Sequence, residues 1–326
     1  MIRCPSLPHL AVIGLTGLVV SSQALAREND APSPENCAQI EDDAQRLVCY
    51  DLQTAKKDKT QETVEKAEKS IFSFTGGFVS HRPNYILPIS WVRDPNPYPV
   101  SPGLGTSDYG YELENEEAKY QISFKVPLLT GLFEDGTTFW FGYTQKSFWQ
   151  VYNQEDSAPF RETNYEPELF FRQKLDWDLG PGTLDNVTFG FNHQSNGQSD
   201  PESRSWNRIM ASATYRTDNW LFMVKPWYKL PENDKDEADN ADIEDYLGYA
   251  SYHVIYEPTE GQTLSMKMMN NLQSTNRTSV ELGYSFPLGE TIKGFIQYYN
   301  GYGESLIDYN HRIERVGIGI MLNDWL

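Results

Sequence analysis

The chain has 326 residues, with 27 Lys and Arg against 46 Asp and Glu and a formal net charge of −19, a balance that excludes nucleic acid as a partner. Aromatic residues at 13 % are too frequent for a disordered chain. No stretch after residue 26 approaches the ~18 consecutive apolar residues of a spanning helix. A spanning β-barrel stays open, because its alternating strands average out in any hydropathy window.

Arg3, an apolar run from Leu10 to Val20 and the small-x-small Ala24-Leu25-Ala26 predict an export signal over residues 1–26, with the mature chain starting at Arg27. Cys4 leaves with that signal. Cys37 and Cys49 remain, and in an exported chain such a pair is most simply a disulfide. A metal site is the rival, weakened by the lack of a nearby His. Residues 27–79 are rich in Glu, Asp, Lys, Gln and Ala and predict a polar, acidic extension without a core of its own.

From Tyr85 the pattern changes to period two. Tyr120, Ile122, Phe124 and Val126 alternate with Lys119, Gln121, Ser123 and Lys125, which gives a strand with one apolar and one polar face. Similar alternation marks Phe139-Phe141-Tyr143, Val187-Phe189-Phe191, Ile209-Ala211-Ala213-Tyr215, Val280-Leu282-Tyr284-Phe286 and Val316-Ile318-Ile320-Leu322. Such segments recur about every 20 residues, the spacing of strand plus connection in an antiparallel barrel. Connections near 93–116, 150–165, 196–205, 231–245, 270–277 and 301–314 are long and polar. Those near 176–183, 217–219, 257–261 and 287–290 are short, with turn-forming Gly, Pro, Asp and Asn. Long loops at one end and tight turns at the other predict an all-β, transmembrane barrel over residues 80–326, with the extension on the periplasmic side. Trp140, Phe148-Trp149, Trp206, Trp220, Trp227-Tyr228 and Tyr298-Tyr299 fit aromatic girdles at the membrane interfaces. The alternative architecture is a soluble β-sandwich.

His193 and Ser195 share the parity of Val187, Phe189 and Phe191, so they face lipid, where polar residues are costly unless used. Asn207 shares the apolar parity of the next strand. A hairpin centred on Asp200 pairs residues whose numbers sum to 400 and sets His193 opposite Asn207. Serine, an imidazole to take its proton and a third group to orient the imidazole are the components of acyl transfer. The bland reading is a polar hairpin tip of turn-formers such as Asn196-Gly197 and Asp200-Pro201. Gln145 likewise faces outward, as a hydrated interfacial glutamine or as a subunit contact.

The run His193-Gln194-Ser195-Asn196-Gly197, continued by Ser199-Asp200-Pro201 and Ser203-Arg204-Ser205-Trp206-Asn207-Arg208, closely resembles the signature of the outer-membrane phospholipase A family. So do Tyr143-Thr144-Gln145-Lys146-Ser147, Pro159 to Pro167, Gly301 to Asn310 and Met321-Leu322-Asn323-Asp324. The resemblance implies a twelve-stranded barrel in the bacterial outer membrane that hydrolyses phospholipid acyl esters at both chain positions and in lysophospholipids, requires Ca2+ and is active as a homodimer. Carried over by position, Ser195 is the nucleophile, His193 the base, Asn207 the orienting residue and the Gly197 amide an oxyanion donor. Calcium contacts map to the carbonyl of Gln198, the hydroxyl of Ser203, the partner subunit's Ser157 and, within an acidic loop, Asp239. Family likeness also favours the subunit contact for Gln145. Two departures stand out: Gln198 replaces an Arg, and the chain ends Trp325-Leu326 without the usual terminal aromatic. The competing functions are a passive porin or adhesin barrel, which would not depend on Ser195, and a lipid acyltransferase.

Overall fold

A computed structural model describes residues 46–47, 77–133, 136–231, 238–289 and 291–325. The chain divides into two units, Met1–Val64 and Glu65–Leu326. In the first, the described residues are Arg46 and Leu47, which are helical. The expected export signal, the Cys37–Cys49 pair and most of the extension lie outside the described residues.

The second unit is built on twelve long strands. They are β1 (Asn84–Val92), β2 (Glu116–Thr130), β3 (Thr137–Trp149), β4 (Phe160–Leu179), β5 (Gly182–Ser195), β6 (Ser205–Arg216), β7 (Trp220–Lys229), β8 (Ala250–Thr259), β9 (Gln262–Asn270), β10 (Thr278–Leu288), β11 (Ile292–Gly301) and β12 (Ile313–Asn323). Each pairs antiparallel with the next, and β12 returns to pair with β1, so the sheet closes into a barrel without edges. A two-residue strand, Val79–Ser80, adds to β2 at Lys125 and Phe124.

The period-two pattern explains the wall. On β6, Trp206, Arg208, Met210, Ser212 and Thr214 point inward and are buried, while Asn207, Ile209, Ala211 and Ala213 point outward. The same alternation leaves Ile89, Ile122, Phe189, Phe222, Leu282, Ile318 and Leu322 exposed, so the outer surface is an apolar band of the kind lipid covers. Five of the aromatics expected in girdles have inward parity instead: Trp140 lies beside Lys125, and Phe148, Trp206, Trp227 and Tyr299 are buried in the barrel. Trp149, Trp220, Tyr228 and Tyr298 remain on the outside.

The interior is polar and paired. Glu117 receives Arg161 at 3.1 Å and Arg315 at 2.6 Å, and Glu304 receives Arg315 at 2.8 Å and Lys119 at 2.9 Å. A second layer joins Arg82 to Glu166 and Glu168 and Lys225 to Glu168. Each charge there has opposite charges and hydrogen bonds within reach, the condition under which buried ions are tolerated.

By strand order the long connections 93–115, 150–159, 196–204, 230–249, 271–277 and 302–312 leave one end of the barrel, and connections of two to six residues join the strands at the other. The 230–249 loop carries a short helix, α1 (Glu244–Leu247). From α1 and its approach, Ile243 and Leu247 pack with Leu306 and Tyr309 of loop 302–312 onto Trp206, Met210, Trp227 and Met269, an apolar stopper across the long-loop end. Arg161 also binds Asp308 at 2.5 Å and anchors loop 302–312 to the wall.

Candidate active site

β5 and β6 build the outward-facing cluster. Their register pairs His193 with Asn207 and Ser195 with Ser205, both sums being 400, as the hairpin reading predicts. Nδ1 of His193 donates to Oδ1 of Asn207 at 2.9 Å. An amide oxygen only accepts, so Nδ1 carries the proton and Nε2 holds the lone pair that a base needs. Ser195 lies two residues further on the same strand face, flanked across the sheet by Tyr165 of β4 and Ser205 of β6. No hydrogen bond within 3.5 Å joins its hydroxyl to the imidazole. All three side chains are half-buried, on a surface whose neighbours Phe189, Phe191 and Leu169 are apolar and exposed.

Loop 196–204 is folded on its own polar groups. Asn196, 3 % exposed, donates to the Glu202 carbonyl at 2.8 Å and to Glu162 Oε2 at 3.3 Å, and its Oδ1 accepts from the amide of Arg204 at 2.9 Å. Arg204, fully buried, donates to the carbonyls of Pro201 at 3.0 Å and Ser203 at 2.6 Å. That burial pulls its guanidinium below the usual range. Gly197 sits at φ 68°, a left-handed conformation suited to glycine, and an added Cβ would come within 3.3 Å of the Tyr165 ring. The turn two residues past Ser195 is therefore one that other residues would strain.

The predicted metal ligands fall into two groups. Ser203 Oγ donates to Asp239 Oδ2 at 2.8 Å, Ser205 Oγ to the same oxygen at 3.4 Å, and Gln198 is exposed on the same loop as Ser203. Ser101 Oγ fixes the Asp239 backbone by donating to its carbonyl at 2.6 Å. Ser157 is exposed on loop 150–159 at φ 63°, apart from this group in its hydrogen bonding. Among the described residues no three His, Cys, Asp or Glu gather as a metal cluster. What is present is an all-oxygen donor set of one carboxylate, hydroxyls and carbonyls, which fits a hard cation such as calcium and leaves positions for water.

Gln145 is on the outer face of β3, as expected, and its amide is satisfied within its own barrel. It donates to Ser147 Oγ at 3.2 Å and Tyr120 Oη at 3.4 Å and accepts from Tyr143 Oη at 3.2 Å. Thr163 extends the cluster to β4 by donating to Ser147 at 3.0 Å. The sequence reading overlooked Tyr120, Ser147 and Thr163 here, and Asn196, Glu162 and Asn240 at the active loop. Parity alone could have found Ser147 and Thr163. Asn240, which accepts from the Ser205 amide at 3.1 Å, had no local signal.

A closed barrel with a lipid-facing serine, histidine and asparagine defines an outer-membrane lipid hydrolase. The sequence matches the Phospholipase A1 family over residues 58–322. It is 42 % identical over 241 residues to phospholipase A1 of Klebsiella pneumoniae, covering 74 % of this chain and 80 % of that one. Among solved structures, an active-site asparagine-to-alanine mutant of Escherichia coli outer membrane phospholipase A matches at a TM-score of 0.69 and 38 % identity, covering 79 % of this chain and 97 % of the other. The Salmonella typhi outer membrane phospholipase dimer with bound calcium matches at 0.71 and 38 %, with the same coverages of 79 % and 97 %. This chain belongs to the phospholipase A1 family, and it is a phospholipid-hydrolysing β-barrel of the bacterial outer membrane.

Proposed function

We propose that the chain is a calcium-dependent phospholipase A of broad acyl-ester specificity, acting on outer-leaflet phospholipids and lysophospholipids through an acyl-Ser195 intermediate. The observation that carries this reading is the 2.9 Å bond from His193 Nδ1 to Asn207, on the same outward face as Ser195. His193 Nε2 takes the Ser195 proton as Oγ attacks the ester carbonyl. The oxyanion formed lies against the Gly197 amide, and the imidazolium, held by Asn207, returns the proton to the departing lysolipid oxygen. Water, deprotonated by His193, then attacks the acyl-serine, and the fatty acid leaves with Ser195 restored. Because the cluster faces lipid, substrate reaches it laterally from the membrane.

The residues proposed to hold calcium are the Gln198 carbonyl, the Ser203 hydroxyl, Asp239 and the partner subunit's Ser157. When bound, the ion supplies positive charge to the developing oxyanion. The contact between Ser203 and Asp239 supports this grouping, as does the calcium-bound Salmonella relative. That relative's dimer also supports an active homodimer, with Gln145 and its polar neighbours at the interface. Residues 1–26 as an export signal and a periplasmic, disulfide-linked extension over 27–79 complete the proposal.

The test is fatty-acid release from mixed phospholipid–detergent micelles by wild type and Ser195→Ala, with calcium or a chelator. The expected result is activity only for wild type with calcium. Hydrolysis by folded Ser195→Ala would show that the nucleophile is misassigned, and full activity in chelator would remove the metal.

A further inference from the structure

The barrel encloses a cavity of about 370 Å³ whose charge does not match the rest of the molecule. Eight Lys and Arg side chains line it against five Asp and Glu, three positive charges in excess, whereas the whole chain carries −19. The adjoining layer around Glu117 does not make up the deficit. Besides Glu304 it holds the acids Glu117, Asp308 and Glu162 against Lys119, Arg161 and Arg315, an even balance.

The excess has an address. Lys267 stands between His253 of β8 and Glu281 of β10 in register, yet it has no ion pair or hydrogen bond among the described residues. Lys146 hydrogen-bonds only the Glu304 carbonyl, at 3.5 Å, and Lys125 contacts the Trp140 ring, at 5.1 Å, while the single Glu281 carboxylate is shared among Lys119, Lys146 and Lys267. Arg82 and Lys225, by contrast, are held by Glu166 and Glu168. An unbalanced set of ammonium groups inside a wall surrounded by hydrocarbon is costly until an anion joins it. Each ammonium offers three donors and no acceptor, so a tetrahedral oxyanion, able to accept from several at once in charge-assisted bonds, fits better than a halide. The cavity has room for such an anion with a shell of water.

Its ends decide where the anion comes from. The long-loop end is closed by the stopper containing Trp206, Trp227, Leu247 and Met269. At the short-turn end the lining includes Trp325, whose ring lies 5.3 Å from that of His253. With the long-loop end stoppered and the wall continuous against lipid, the short-turn end is the remaining route, periplasmic in the proposed orientation.

We propose that the lumen is a binding site for a small soluble oxyanion of the phosphate class, with Lys267 and Lys146 as its principal ligands. The proposal does not depend on the assignment of the active site. Inorganic phosphate titrated into purified full-length protein, in a maltoside detergent with chelator present, tests it by phosphorus NMR line width and by unfolding temperature. Saturable broadening and a higher unfolding temperature are expected with phosphate, neither with chloride at equal ionic strength. Lys267→Met is expected to weaken phosphate about tenfold, the loss of one good contact, with fatty-acid release unchanged. Because that substitution alters the barrel by itself, Lys146→Met is the second variant and should weaken phosphate in the same way. No saturable response in wild type, or undiminished affinity in both variants, would overturn the site. The same response from phosphatidate in the micelle, with no soluble phosphate, would place the ligand in the membrane and overturn the periplasmic route.

Discussion

Polar residues occur on both faces of this barrel, under opposite rules. Inside, Glu117, Arg161, Arg315, Glu304 and Lys119 form a chain of contacts between 2.6 and 3.1 Å, and each ion is stabilised by the next. Outside, polar side chains on an apolar band are few; they include the Ser195–His193–Asn207 group, the group around Gln145, and Glu314, Tyr298 and Asn300 joined near the long-loop rim. The contrast teaches how to read such a chain. A charged residue in the lumen is expected and speaks of stability, while a polar residue facing lipid is costly and speaks of chemistry or contact.

Substitutions on the two faces should therefore separate activity from stability. Ser195→Ala is expected to lower kcat by more than about a thousandfold with no change in unfolding temperature. Arg315→Met should do the converse. It leaves Glu117 and Glu304 short of a partner and costs about 3–5 kcal/mol of stability, measured by denaturant unfolding in detergent, while the folded fraction keeps its specific activity. An equal loss of activity and stability in either variant would break the comparison. Asn207→Ala removes a hydrogen bond to an imidazole that becomes charged, worth about 1.5–3 kcal/mol, and so lowers kcat by about ten- to a hundredfold with little effect on KM. Ser203→Ala is expected to raise the calcium needed for half-activity about tenfold, with near-normal rates at saturating calcium. Gln145→Ala should weaken self-association by about 0.6 kcal/mol in sedimentation equilibrium, the smallest of these effects.

The active-site hairpin was legible because it is short and symmetric. Once the turn is centred on Asp200, the opposition of His193 and Asn207 follows by counting, and the register agrees. The upper part of β4 was not legible. Residues 160–165 read as loop because Arg161, Glu162 and Asn164 face a charged lumen, and a strand segment with a polar inner face looks like a polar connection. The turn between β2 and β3, over 131–136, was hidden for the opposite reason, behind the apolar run Val126 to Leu129. Parity also separates the misplaced aromatics, since Trp227 and Tyr228 are adjacent in sequence and on opposite sides of the wall. The supports of the site, Glu162 and Asn240, come from 34 and 35 residues away along the chain and leave no pattern near the residues they hold.

The pairing of β5 with β6 has one more consequence. Side chains alternate with period two, so sliding β6 by one residue would turn Asn207 into the lumen and bring Trp206 out to the lipid, with most backbone pairing kept. A barrel assembled one step out of phase would still be rich in strand, but with Arg208 turned to lipid and His193 no longer opposite Asn207 it would hydrolyse nothing. Turnover is thus a proofreading signal for the fold itself, reporting in a single number that two strands met in the right phase.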